Sequence, residues 1–198
     1  MGTQTSDRRA SILAATLRVV GRDGVASITT RKIAQDAGVN LSAVHRYFSS
    51  KDALLLAALD EATTVMIAAL PASPRADWSH SAAVDETCLS LGVLIDAEPC
   101  LPLIRCELLL YLRHLPALNQ AARRQQGRYV AALAGLYYST SSVGEHATAC
   151  HAFAELVATM VDGLALTSAS RDARNAPGRA PGHAFRVVRG HSRIGDRS

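Results

Sequence analysis

The sequence is poor in aromatic residues: among 198 positions there are 3 Phe, 1 Trp and 5 Tyr. With few β-branched runs as well, it lacks the residues that fill a pleated, half-buried sheet. No apolar stretch approaches the roughly 18 to 20 uninterrupted residues a membrane span requires, and the opening Met1 to Arg9 is polar with no apolar run behind it. A soluble, cytoplasmic protein is expected. Cysteine is scarce too. Cys88, Cys100, Cys106 and Cys150, without a secretory leader, are expected to sit reduced in a helical core rather than in bridges. Nucleophile elbow, phosphate-binding loop, H-E-x-x-H and G-x-G-x-x-G are all missing, so nothing argues for catalysis and no cofactor is expected.

What the sequence has is alanine, at 35 positions, within a chain that is 48% hydrophobic and 19% charged. Alanine is the best helix former and contributes little to a strand, so the chain is expected to be all-α. The net charge of +4 is modest but unevenly spread. Residues 1–51 carry 8 Lys/Arg against 3 Asp/Glu, residues 52–169 carry 6 against 12, and residues 170–198 carry 7 against 2. A basic head on an acidic body directs a polyanionic partner to the head.

Apolar spacing and capping residues predict eight helices. The first opens at Ser6 and Asp7, buries Ile12, Leu13, Leu17 and Val20, and closes at Asp23-Gly24. Thr29 caps a two-turn helix over Thr30 to Ala37, and Asn40 caps another over Leu41 to Phe48. The tight Ala37-Gly38-Val39 link between them makes a helix-turn-helix. Ser49 and Ser50 start a long helix running to about Leu70, and Pro71 to Pro74 forms a linker. Val84, Cys88, Leu91 and Ile95 mark a fifth helix, Pro102 starts one ending near His114, and Pro116 starts one ending near Tyr138. A capping box at Ser142 to Glu145 introduces the last, which ends near Ser168. This gives a helix-turn-helix domain over 1–51, a helical effector-binding and dimerisation domain over 52–169, and an Arg/Gly-rich tail over 170–198.

A helix-turn-helix lays the N-terminal residues of its second helix against base edges in the major groove, while its first helix crosses the backbone. Asn40, Leu41, Ser42, Ala43, His45 and Arg46 occupy that reading helix. Asn can pair with adenine, Arg with guanine, and Leu41 can touch a thymine methyl. Thr29, Thr30, Arg31 and Lys32 at one helix start, and Lys51 at another, suit phosphate oxygens, since free helix amides already attract anions. Adjacent helix positions cannot share a face, so Phe48 is assigned inward and Tyr47 toward DNA.

These residues resemble the DNA-binding region of the TetR (tetracycline-repressor-like) family of bacterial transcription regulators. Ile12 to Ala15, Gly24, Thr29 to Ala34, Ala37 to Val39, Tyr47-Phe48, Lys51 and Leu54 carry the likeness, which covers about residues 8 to 57. The resemblance implies that Arg31 touches DNA from the first motif helix, that Tyr47 and Lys51 contact phosphates, and that residues 40–46 set sequence preference. Ser42, Ala43 and His45 stand where the family more often has Gly or Pro, Thr and Tyr.

The resemblance also implies a two-domain, all-helical homodimer whose larger domain binds a small-molecule effector and thereby releases double-stranded operator DNA. Polar anchors for an effector pocket are sought at Arg105, Tyr111 and His114 on one helix and at Tyr129 and Tyr137 on the next. Phe153, Val157, Met160 and Leu164 form an apolar stripe for a partner helix. Two other readings stay open: a dimeric interaction protein that has lost sequence-specific reading, and a small metal-dependent enzyme using His146 and Cys150.

Overall fold

The computed structural model describes residues 2–71, 80–138 and 147–172. Among them the chain forms eight α-helices and no strand. The helices are α1 Gly2–Asp23, α2 Thr30–Asp36, α3 Leu41–Tyr47, α4 Lys51–Ala68, α5 His80–Ala97, α6 Leu101–Arg113, α7 Pro116–Tyr138 and α8 Ala147–Asp172, with one 3-10 turn at Val25–Ser27. The all-helical class is as the alanine content predicts. α1 begins four residues earlier than expected because its first turn, Gly-Thr-Gln-Thr, carries no apolar side chain to reveal it. α8 includes residues 170–172, which the composition assigns to the tail. The proposed capping box at Ser142, most of the Pro71 to Pro74 linker and residues 173–198 lie outside the described residues.

The chain divides into two compact units, Met1–Thr64 with Ile104–Gln126, and Val65–Leu103 with Gly127–Ser198. The basic head therefore does not end at Lys51. Its core joins Ile12, Val19 and Val20 of α1, Ile33 and Ala34 of α2, Val44 of α3 and Leu54, Leu55 and Leu59 of α4 to Ile104, Leu108 and Leu112 of α6. The reason is physical: α2 and α3 have seven residues each and bury only two and one of them. Helices shorter than about 12 residues are marginal alone. They need a larger apolar wall, and α4 with α6 supplies it.

The second unit buries Val84, Cys88, Leu91 and Ile95 of α5, the four positions marked by their spacing. It also buries Tyr129, Leu133 and Tyr137 of α7 with Ala154, Val157 and Val161 of α8. The buried hydroxyls of Thr16, Thr63 and Thr87 each donate to the carbonyl one turn back, at 2.7–2.8 Å, which satisfies the donor within the helix. Of the cysteines, Cys88, Cys106 and Cys150 are buried and Cys100 is exposed, and none of the four forms a disulfide. No single described helix is long and apolar enough to cross a membrane.

Candidate nucleic-acid interface

The helix-turn-helix is built by three caps and one glycine. The Thr29 hydroxyl accepts from the Lys32 amide at 3.2 Å, the Asn40 Oδ1 from the Ala43 amide at 2.8 Å, and the Ser50 hydroxyl from the Ala53 amide at 3.0 Å. Between α2 and α3 the Val39 amide reaches back to the Ala34 carbonyl at 2.9 Å and the Gly38 amide to Gln35 at 3.2 Å. This paired closure needs a residue of positive φ at its centre, and Gly38 has φ +66°. The turn thereby fixes the entry of α3, the helix expected from sequence to meet base edges.

Arg31, Asn40, Ser42, His45, Arg46 and Thr29 are exposed, while Thr30, Leu41, Ala43, Tyr47 and Lys51 are half-buried. Leu41 and Tyr47 pack partly against the head's core, so α3 offers a narrower reading face than its sequence suggests. Phe48 is 6% exposed, turned inward as expected. Asn40 is committed differently. Its Oδ1 receives both the Ala43 amide and, at 2.9 Å, the Ser42 hydroxyl. Two-point recognition of adenine needs that same oxygen as acceptor, so only the Asn40 amide nitrogen is left to offer a base.

The head's cations fall into two groups. Arg18 and Arg22 both bind Asp36, at 2.8 and 3.1 Å. Arg22 and Lys32 both bind Asp23 at 2.9 Å. This network ties α1 to α2 and takes Lys32 away from the phosphate role that the sequence allowed it. Hydrogen bonds from Arg22 and then Lys32 hold the Asp23 carboxyl below its ordinary value of 3.8. For Asp36 burial pushes upward, but the donors Arg18 and Arg22 together outweigh it and the net direction is down. Arg22 is raised in turn, chiefly by its bond to Asp23.

The second group has no carboxylate partner among the described residues. Arg8 and Arg31 are exposed. Three others lie over aromatic rings: Arg9 is 5.5 Å from the Phe48 centroid, Arg46 is 5.1 Å from Tyr47, and Lys51 is 5.5 Å from Tyr111. Arg46 also donates to the Tyr47 hydroxyl at 3.2 Å. Sequence pattern alone does not single out Arg8 and Arg9. Arg8 lines a cleft of about 210 Å³ with Gly38, Val39, Asn40 and Ala43, at the start of the reading helix. Its only signal is the local charge excess, which has no register until α1 is placed beside the turn.

The effector-pocket candidates separate. Arg105, Tyr111 and His114 belong to the first unit, Tyr129 and Tyr137 to the second. Arg105 is fully buried and donates to the Gln126 side-chain Oε1 at 2.8 Å, Tyr111 packs against the head's core, and His114 is exposed. Tyr129 and Tyr137 are fully buried, and the Tyr137 ring meets Phe153 edge-on at 5.0 Å. Burial raises the Tyr137 phenol above its ordinary value. A cleft of about 560 Å³ in the first unit, lined by Arg9, Asp52, Leu56, Asp60 and Leu118 among others, includes none of the five.

On α8, Val157 is 4% exposed and Phe153, Met160 and Leu164 are half-buried. That stripe faces its own unit. Among the described residues, the large apolar side chains that α8 leaves in solvent are Leu156, 54% exposed, and Leu166, 49% exposed. Among the described residues no group of three or more His, Cys, Asp or Glu side chains could hold a metal ion; His146 lies outside them, and Cys150 is buried.

A family profile described as bacterial regulatory proteins, tetR family, matches residues 12–58. The chain is 41% identical over 71 residues to the HTH-type nicotine-responsive transcriptional repressor HdnoR of Paenarthrobacter nicotinovorans, covering 36% of this chain and 37% of that protein. The match thus spans little more than a third of this curated relative. Beyond it the likeness is one of fold. A transcriptional regulator from Rhodococcus sp. Rha1 is similar with a TM-score of 0.72 over 94% of this chain and 96% of its own, at 22% identity. FadR from Bacillus subtilis, solved in complex with stearoyl-CoA, gives 0.71 over 92% and 96%, at 16% identity.

Proposed function

We propose that the chain, whose residues 12–58 match the profile of the tetR family of bacterial regulatory proteins, is a DNA-binding transcriptional repressor of that kind, acting as a homodimer, whose hold on its operator is released by a small-molecule effector. The observation that carries the reading is the sorting of charge in the head. Arg8, Arg9, Arg31, Arg46 and Lys51 keep their charge uncompensated by carboxylates among the described residues, around a capped helix with Ser42, His45 and Arg46 exposed. Phosphates neutralise such cations and fix the register; base edges meet α3. Thr29 and Thr30 contribute backbone contacts at the start of α2, and Tyr47 does so beside Arg46.

Release by a ligand is supported by the relatives: one is a nicotine-responsive repressor by name, and one neighbour of the same fold carries stearoyl-CoA. In this chain Tyr129 and Tyr137 are the polar anchors proposed for the second unit. Both are enclosed, so an effector meets them only in a more open arrangement of that unit's helices. It drives release to the extent that it binds that arrangement more tightly than the DNA-bound one.

The test is a hydroxyl-radical footprint on DNA upstream of the chain's own coding sequence. Two protected segments about 10 base pairs apart, or a multiple of that, fit a twofold protein with one head per half-site. The combined substitution Arg31→Ala and Lys51→Ala should erase the footprint. Uniform protection without half-sites would favour instead an interaction protein that binds DNA without reading it.

A further inference from the structure

We propose that Tyr111 is a positioning residue for DNA binding: its ring holds the Lys51 ammonium at the head of α4 while leaving that charge whole for a phosphate. The proposal rests on the reading of Lys51 as a phosphate contact. Tyr111 lies on α6, more than fifty positions beyond the stretch that matches the family profile at residues 12–58, so no pattern in the DNA-binding motif assigns it a part. The Lys51 Nζ stands 5.5 Å from the ring centroid. The ring itself is half-buried against the core of the same unit and cannot swing freely.

Lys51 and Lys32, the only lysines in the chain, show the alternatives side by side. Lys32 is held by the Asp23 carboxylate at 2.9 Å, which fixes the ammonium and cancels its charge. Lys51 is held by an aromatic face, whose quadrupole attracts the ammonium without neutralising it. A flexible four-carbon side chain is ordered before DNA arrives, and the ordering does not have to be done at binding. The first amides of α4 add their own attraction for an anion beside it.

α6 is held in place for this task. One turn before Tyr111, at the spacing that puts two residues on one helix face, the Glu107 Oε2 accepts a hydrogen bond from the Val25 amide at 3.1 Å. Val25 lies in the turn between α1 and α2. A single face of α6 thus meets the head both at the turn that leads into its motif and at the lysine that follows it.

A mutant cycle on the full-length chain tests this, reading affinity for the upstream duplex by fluorescence anisotropy and folding by thermal melting. Tyr111→Phe keeps the ring and should bind as the native chain does. Tyr111→Leu should weaken binding about twofold to fivefold per subunit, with no further loss when Lys51→Ala is already present. Tyr111→Met gives the same readout through a flexible apolar chain should the leucine disturb the fold. Equal weakening with and without Lys51 would reduce Tyr111 to a packing residue and overturn the proposal. So would native affinity in Tyr111→Leu while Lys51→Ala binds poorly. If Lys51→Ala alone left affinity unchanged, the phosphate role of Lys51 would fall, and this inference with it.

Discussion

Asp23 and Asp36 determine how much of the head's positive charge stays uncompensated. Between them they bind Arg18, Arg22 and Lys32, and both carboxyls are held below their ordinary value of 3.8. A carboxyl depressed on folding contributes stability that is present above its unfolded pKa and lost as pH falls through the lower folded one. Urea midpoints followed by circular dichroism should therefore decline as pH drops below about 4, and Asp36→Asn should flatten that decline. Arg31 belongs to the other group. Arg31→Ala should lower the slope of log affinity against log salt by about one for each phosphate no longer neutralised, whatever the DNA sequence. Asn40 separates two roles that its residue type left open. Asn40→Ala should cost about 1 kcal/mol of unfolding free energy through removal of the cap, and Asn40→Ser should restore it. Equal stability of Asn40→Ala and the native chain in urea titrations would contradict the cap.

Among the elements, those with local signals were readable from sequence and those held by distant partners were not. Thr29, Gly38 and Asn40 announced α2, the turn and α3, because caps and positive φ act within a few residues. The 3-10 turn at Val25–Ser27 gave little sign: Ser27 closes it locally on the Asp23 and Gly24 carbonyls, but the Val25 amide finds its acceptor in Glu107, 82 positions away along the chain. The membership of α6 in the head was hidden for the same reason. Ile104, Leu108 and Leu112 read as an apolar helix face, and nothing local says which core it joins. Gly24, which ends α1, adopts φ 76° and ψ 154°, a conformation nearly confined to glycine. A β-carbon there would have room, its nearest neighbour being the Glu107 carboxylate at 4.0 Å. Gly24→Ala should therefore destabilise the chain by about 1–3 kcal/mol through the backbone alone, measurable by urea unfolding. A native midpoint in that variant would show that the turn relaxes without penalty.

At the scale of the whole molecule, the sequence conveyed a likeness to the tetR family through the dozen or so positions near residues 8 to 57 and little about the remainder. Arg105, Tyr111 and His114 looked like one polar cluster because they share a helix, yet one is enclosed, one packs against the head's core and one is exposed. The same limit applies to α8. A broad apolar helix shows two buried-looking faces in sequence, and only packing tells that Val157 turns inward while Leu156 and Leu166 stay in solvent. The proposed dimer should accordingly depend on the outer face. Sedimentation should give twice the 21.0 kDa chain mass, and Leu156→Glu with Leu166→Glu should return it to a folded monomer. An unchanged dimer in that variant would move the interface elsewhere.

The most direct test of a head that reads DNA is an anisotropy titration at low salt, comparing the upstream duplex with a scrambled duplex of equal length and composition. The account predicts tight binding to the first, weaker by about a thousandfold for the second, and loss of that preference on substitution of Arg46 and Ser42. A well-folded chain that bound neither duplex, or both equally, would contradict it.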